Sequence, residues 1–160
     1  MRVLFIHGAG GYLEDQEIAA TLRTHLQAPV EMPQMPDEDM SVEAWATIVR
    51  HHLTGLGEDD VVIGHSFGAT ILEWVLGEKT WAPHRALLLA MPDWSPDGWD
   101  VADYAHPGPG PQMSIALHHC QDDEVVSFEH LALNAARLPS ATVVEHQRGG
   151  HQFEGVDLGP

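Results

Sequence analysis

Apolar runs and helical repeats alternate along the chain. Apolar runs typical of buried strands occupy residues 2–6, 60–63, 85–91, 113–119 and 141–146, with a shorter candidate strand near 30–32. Apolar residues recur at helical spacing in residues 14–26, 41–53, 69–76 and 128–138. Strands that are apolar throughout and alternate with helices indicate an α/β fold. We expect a mostly parallel central sheet of about six strands with helices on both faces.

One stretch breaks this alternation. Residues 92–112 hold two tryptophans, a tyrosine, five prolines and three glycines. We predict a long irregular loop, and loops of this length are often functional. Trp94, Trp99 and Tyr104 either belong to the core of this loop or line a substrate pocket. No internal repeat or domain boundary is visible, so residues 1–160 are expected to form a single domain.

Composition and charge narrow the function classes. The chain is 44% apolar and 19% charged, which is typical of a globular protein. Its formal net charge of -17 would repel nucleic acids and anionic membranes, so neither is expected as a partner. There is no apolar stretch long enough for a signal peptide or a membrane span. The single cysteine, Cys120, cannot form an internal disulfide, and we expect a cytoplasmic location.

The stretch "VVIGHSFGAT" carries the main chemical signal. Residues 64–68 match G-x-S-x-G, the nucleophile elbow, directly after an apolar strand and before a helix. At such an elbow the serine stands at the apex of a sharp turn, and the flanking glycines let the strand and the helix approach. We therefore predict that Ser66 is a nucleophile.

A serine nucleophile needs a base, and the base needs a carboxylate that orients it. In a parallel α/β fold the expected chain order is serine, then the acid, then histidine. His151 follows the last strand, behind two glycines, and is favoured over His146, which lies at the strand end. The acid should follow the strand at 113–119, where "QDDEVVSF" offers Asp122, Asp123 and Glu124.

The oxyanion of an acyl-transfer reaction needs two N–H donors. The backbone N–H of Phe67, directly after the serine, is the first candidate. The second should come from "HGAGG" at 7–11, where Ala9 is preferred to Gly10. The alternative for this turn is a phosphate-binding loop, but it lacks G-x-G-x-x-G and the P-loop lysine.

These motifs together resemble the α/β-hydrolase superfamily. More narrowly, "VLFIHGAGG", "VVIGHSFGA", "DDEVV" and "GGHQF" resemble the small serine hydrolases grouped with retinoblastoma-binding protein 9 and the bacterial YdeN proteins. The resemblance spans nearly the whole chain. It implies a compact α/β-hydrolase fold with no large lid domain, and a catalytic triad of Ser66, Asp123 and His151. Glu124 stands where that family usually has a proline after the aspartate.

The function expected from the sequence is hydrolysis of a small carboxylic ester or thioester through an acyl-enzyme, with no cofactor or metal. "HHC" at 118–120 superficially resembles a metal cluster, but neighbouring strand residues point to opposite faces. The alternatives are a non-catalytic binding protein on the same scaffold and a peptidase or amidase. The expected partner is a small-molecule ester substrate.

Overall fold

Six strands form one sheet in which every neighbouring pair is parallel. The computed structural model describes residues 1–159. Its strands are β1 (Val3–Ile6), β2 (Val30–Glu31), β3 (Val61–His65), β4 (Arg85–Leu89), β5 (Ser114–Cys120) and β6 (Thr142–His146). Their spatial order is β2-β1-β3-β4-β5-β6. The predicted parallel sheet of about six strands is therefore confirmed.

Four helices cover the two faces of the sheet. They are α1 (Gln16–Leu26), α2 (Val42–Leu53), α3 (Phe67–Leu76) and α4 (Glu129–Arg137). Helices α2, α3 and α4 share one hydrophobic cluster, whereas α1 packs into a second cluster with the segment that follows β6. Strand β1 contributes alternate residues to the two clusters, which explains why it is apolar throughout.

The element boundaries differ from the sequence prediction mainly at the elbow. Helix α3 begins at Phe67, two residues before the predicted start, because the chain turns directly from β3 into the helix. Residues 92–112 are irregular as predicted, apart from a short 3₁₀ turn at Ala102–Tyr104. Residues 1–159 contain no inserted lid domain. Across this same range, every helix is too short or too polar to cross a membrane.

The parallel arrangement places the candidate site at one edge of the sheet. All strands run in the same direction, so the loops after their carboxyl ends meet at that edge. The glycine turn at 7–11 follows β1, and Ser66 follows β3. Residues 122–124 follow β5, and His151 lies beyond β6.

Candidate active site

Ser66 stands alone between β3 and α3 in a backbone conformation that is unusual for a non-glycine residue. Its φ is 53° and its ψ is -121°. Such a conformation costs on the order of 1–3 kcal/mol and persists only where the surrounding structure holds it. It places the serine at the apex of the turn, as the elbow motif predicts.

The two glycines of the motif are required by close backbone contacts. A Cβ on Gly64 would lie 2.6 Å from the Cα of Ala69, inside the van der Waals distance. A Cβ on Gly68 would collide with the backbone carbonyl groups of Ile6 and His7. The strand, the elbow and the glycine turn after β1 therefore pack too tightly for any side chain at these two positions.

Asp123 contacts the ring of His151. The Nδ1 atom of His151 lies 2.9 Å from Oδ2 of Asp123 and 3.1 Å from Oδ1. The Asp123 side chain is fully buried, and that of His151 is 9% exposed. The Oδ1 atom also accepts hydrogen bonds from the backbone N–H groups of Val125 and Val126, both at 2.8 Å. These bonds hold the carboxylate in one orientation toward the imidazole.

The same contacts keep Asp123 ionised. Burial alone would raise the pKa of Asp123, but the hydrogen bonds from His119, His151 and the two backbone N–H groups hold that pKa well below its usual value. The carboxylate is therefore charged at every pH at which the protein would work. It can accept a hydrogen bond from the N–H at Nδ1 of His151 and stabilise the imidazolium that forms during the reaction.

Asp122 contacts the backbone of the His151 loop instead of the His151 ring. Its carboxylate accepts hydrogen bonds from the N–H groups of Gly150, at 2.8 Å, and Gly149, at 3.3 Å. Glu124, at the position of the family's proline, accepts the backbone N–H of His151 at 3.4 Å. Of the two aspartates that the sequence left open, Asp123 is the one that lies against the imidazole.

Ser66 and His151 line the same cavity, which has a volume of about 370 Å³. Within residues 1–159 no hydrogen bond joins the serine hydroxyl to the histidine ring. His146, the other histidine considered for the base, lies against His118, with the two rings stacked 5.3 Å apart. The structure thus places His151, and not His146, on the cavity that Ser66 lines.

Some backbone N–H groups around the cavity already donate hydrogen bonds within the protein, and others do not. In the glycine turn, Gly8 donates to Asp15, Gly10 donates to Asp37, and Gly11 donates to the carbonyl oxygen of Gly8. Within residues 1–159, the N–H groups of Ala9 and Phe67 have no such partner, and both residues line the cavity. Because Gly10 is engaged, the geometry favours Ala9 as the second donor.

The three aromatic residues of the long loop line this cavity together. Trp94 lies edge-on to Trp99 and Tyr104, with ring centroids 5.1 and 4.8 Å apart, respectively. The Trp94 indole donates to the Thr70 hydroxyl at 2.8 Å, and the Tyr104 hydroxyl donates to the Met40 carbonyl oxygen at 3.0 Å. These bonds hold Trp94 and Tyr104 as a fixed apolar wall, and Trp99, which is 41% exposed, lies nearer the solvent.

Three residues at the site were not predicted as functional. His119 lies with its Nε2 atom 3.3 Å from Oδ2 of Asp123. His65 and Asp15 form a buried pair beside Ser66, with Nδ1 and Oδ2 2.8 Å apart. Burial raises the pKa of Asp15, but its hydrogen bonds from His65 and Gly8 outweigh burial and leave the pKa below its usual value. His65 lies inside the elbow motif, so its position was a usable signal, whereas Asp15 carries none.

Cys120 and the histidines beside it on β5 were the other candidates considered from the sequence. Over residues 1–159, no group of three or more His, Cys, Asp or Glu side chains has a geometry that could hold a metal ion. Burial, with nearby carboxylates, raises the pKa of the Cys120 thiol to about 12. Cys120 is therefore an unreactive packing residue at neutral pH.

Comparisons with known proteins agree with this architecture. The family described as "Serine hydrolase" matches residues 4–156. The ydeN gene product from B. subtilis is 18% identical, with a TM-score of 0.75 over 94% of this chain and 87% of that one. A YdeN-like hydrolase from Pectobacterium atrosepticum is 16% identical, with a TM-score of 0.72 over 94% and 78%. No curated protein sequence matches significantly.

A mammalian structure shows the same fold. Alpha/beta hydrolase domain-containing protein 10 from mouse is 13% identical, with a TM-score of 0.73 over 97% of this chain and 84% of that one. At such low identities the likeness concerns the fold alone. The fold is that of the compact α/β hydrolases.

Proposed function

Because the chain belongs to the serine hydrolase family, whose profile spans residues 4–156, we propose that it hydrolyses a small carboxylic ester or thioester through an acyl-enzyme. One observation carries this proposal. The buried Asp123–His151 pair opens into the same cavity as Ser66, which is held at the apex of a strained elbow.

In the first half of the proposed reaction, the Ser66 oxygen attacks the carbonyl carbon of the ester. Nε2 of His151 takes the serine proton, and Asp123 stabilises the resulting imidazolium through Nδ1. The π electron pair of the carbonyl bond moves to the carbonyl oxygen. This oxyanion accepts hydrogen bonds from the free backbone N–H groups of Phe67 and Ala9. Loss of one such donor raises a barrier of this kind by about 3–4 kcal/mol.

The tetrahedral intermediate then collapses. The bond to the leaving alcohol or thiol breaks, and His151 gives that group its proton. In the second half, water attacks the acyl-serine carbonyl carbon while His151 accepts one of its protons. Collapse of the second intermediate releases the carboxylic acid and returns the proton to Ser66. No cofactor or metal takes part.

The cavity suggests how a substrate is oriented. Trp94, Trp99 and Tyr104 offer apolar contact for an acyl chain. Glu14 and Asp15 lie on the lining of the same cavity. Together with a net charge of -17, the exposed Glu14 carboxylate would repel an anionic ester. We propose a neutral small-molecule ester as the substrate, and a cytoplasmic location, which the single buried Cys120 suits.

The proposed function is tested by comparing the wild type with Ser66→Ala on nitrophenyl acetate and butyrate. Alanine keeps the Cβ of the elbow and removes only the oxygen, so the fold should persist, as circular dichroism would show. We expect the variant to lose hydrolysis down to the rate in buffer. Hydrolysis by folded Ser66→Ala at the wild-type rate would exclude Ser66 as the nucleophile. Inactivity of the folded wild type on all esters and amides would favour a binding protein.

A further inference from the structure

His65 and Asp15 form a second buried histidine–aspartate pair beside the nucleophile. The Nδ1 atom of His65 lies 2.8 Å from Oδ2 of Asp15, and each side chain is only 1% exposed. The two residues are 50 positions apart in the chain. His65 precedes Ser66 directly, so the pair adjoins the elbow.

This pair joins three separate parts of the site. The same Oδ2 atom of Asp15 accepts the backbone N–H of Gly8 at 2.8 Å, in the turn that also holds Ala9. The Nε2 atom of His65 lies 2.9 Å from the backbone carbonyl oxygen of His151. The His65 and His151 rings are also in contact, with centroids 4.6 Å apart. The glycine turn, the elbow and the base loop therefore share one hydrogen-bonded connection.

The His65 ring is contacted through both of its nitrogen atoms. Both ring nitrogens of His65 face oxygen atoms that can only accept hydrogen bonds. Each contact lies at hydrogen-bond distance, so the ring is held from both sides between the Asp15 carboxylate and the His151 carbonyl group. An apolar pair would fill this space without the cost of burying polar groups, so packing alone does not require these residues.

Asp15 makes these bonds in place of the helix-capping hydrogen bond that is usual at its position. It is the N-cap residue of α1, yet its side chain makes no capping hydrogen bond. Its Oδ2 atom takes both bonds, and Oδ1 has no partner within residues 1–159. The carboxylate is thus turned toward the catalytic loops and away from the helix that it begins.

We propose that His65 and Asp15 are positioning residues for the hydrolytic reaction. Asp15 fixes the glycine turn through Gly8, so that the next N–H, that of Ala9, remains free to face the oxyanion. His65 fixes the backbone of His151, so that its ring is held against Asp123 and toward Ser66. This inference rests on the proposed function, because it assigns the pair to the same site.

The test uses two variants that remove different parts of the connection. In His65→Asn, the shorter amide can still donate to Asp15 but cannot reach the carbonyl oxygen of His151. In Asp15→Ala, the carboxylate oxygen that both Gly8 and His65 contact is removed. His25→Asn is the matched control, because His25 forms an exposed pair with Asp157, at 3.2 Å, outside the cavity.

For each protein, kcat and KM on nitrophenyl butyrate and the rate constant of Ser66 phosphonylation by a fluorophosphonate are measured. Positioning acts mainly on the transition state, so kcat and the phosphonylation rate should each fall about tenfold in both variants, with KM within about twofold of the wild type. The control should match the wild type. Thermal unfolding shows which of the two variants are folded. One folded variant is enough for the comparison with the wild type.

The outcomes separate this inference from the proposed function. Wild-type kcat and phosphonylation rates in a folded His65→Asn or Asp15→Ala variant would overturn the positioning role and leave the hydrolase intact. A change in KM alone would also overturn it. If the folded wild type neither hydrolyses the ester nor reacts at Ser66, the proposed function fails and this inference fails with it.

Discussion

The Nε2 atom of His119 lies 3.3 Å from Oδ2 of Asp123 and 2.8 Å from the carbonyl oxygen of Val126. One N–H of this buried ring is thus shared between the acid and the backbone turn that also binds the acid. His119 lies on β5, only four residues before Asp123. The strand itself therefore helps to orient the carboxylate that contacts His151.

We predict that His119→Ala lowers kcat by about tenfold. A hydrogen bond to a buried carboxylate is worth roughly 1.5–3 kcal/mol, and water that enters the space left by the ring would restore part of that free energy. His119→Gln should recover most of the activity, since its amide N–H can occupy the place of Nε2. The measurement is kcat/KM on a nitrophenyl ester. His118→Gln, one position earlier on the strand, is the control and should retain wild-type kcat/KM. Equal activity of the alanine and glutamine variants would contradict this role for His119.

The two aspartates after β5 should differ sharply when each is replaced by asparagine. Asp123→Asn presents an amide to the imidazole, which favours the wrong tautomer and cannot stabilise its charged form; in the protease triad this costs about 10⁴ in kcat. Asp122→Asn keeps an oxygen that can accept the N–H of Gly150, so its loss should stay below about tenfold. The measurement is kcat of both variants by steady-state kinetics. A larger loss of kcat in Asp122→Asn than in Asp123→Asn would show that Asp122 is the acid.

Much of this site could be predicted from local patterns. The elbow at 64–68, the histidine after the last strand and the turn after β1 each have a spacing that follows from a strand running into a loop. The order of these elements indicated one edge of a parallel sheet. The fold and the positions of Ser66 and His151 at that edge were therefore accessible from the sequence.

The finer assignments could not be derived from the residue pattern alone, because they depend on contacts between distant parts of the chain; Asp123 was favoured through the family resemblance. Asp122, Asp123 and Glu124 are three neighbouring acids, and only their bonds to residues 149–151 distinguish them. Asp15 looks like an ordinary helix cap, yet its partner His65 is 50 residues away. The choice of Ala9 over Gly10 depends on Asp37, which engages Gly10 from a different loop.

His118 should make stability depend on pH. Burial and the neighbouring His146 lower the pKa of His118 to about 4, against an ordinary value of 6.5. Between these values the unfolded chain binds a proton at this position and the folded protein does not, so stability falls as pH falls. The full effect is about 3 kcal/mol between pH 6.5 and pH 4.

The measurement is the free energy of unfolding by urea at several pH values, for the wild type and His118→Gln. His130 and His146, whose pKa values burial also lowers, are present in both proteins, so the difference between the two curves reports mainly His118. We expect the glutamine variant to lose less stability on acidification. Parallel curves from pH 7 to pH 4 would show that His118 is protonated as easily in the folded protein as in the unfolded chain.

The substrate range should follow the size and charge of the cavity. Residues 92–112 enclose only part of a cavity of about 370 Å³, and each buried CH₂ contributes about 0.8 kcal/mol only until the space is full. We therefore expect a preference for neutral acyl groups of about two to six carbons. The measurement is kcat/KM for nitrophenyl esters from acetate to palmitate, with a succinate half-ester included. An optimum at palmitate, or a preference for the succinate, would contradict this account of the cavity.

The central claim is that Ser66 is an activated nucleophile. It is tested most directly by incubating the folded protein with a fluorophosphonate and locating the adduct by peptide mass spectrometry, with Ser66→Ala as the unlabelled control. The account predicts one adduct, on the peptide that contains Ser66, formed in step with the loss of esterase activity. A folded wild type that stays unlabelled, or that is labelled at another residue while Ser66 stays free, would contradict it.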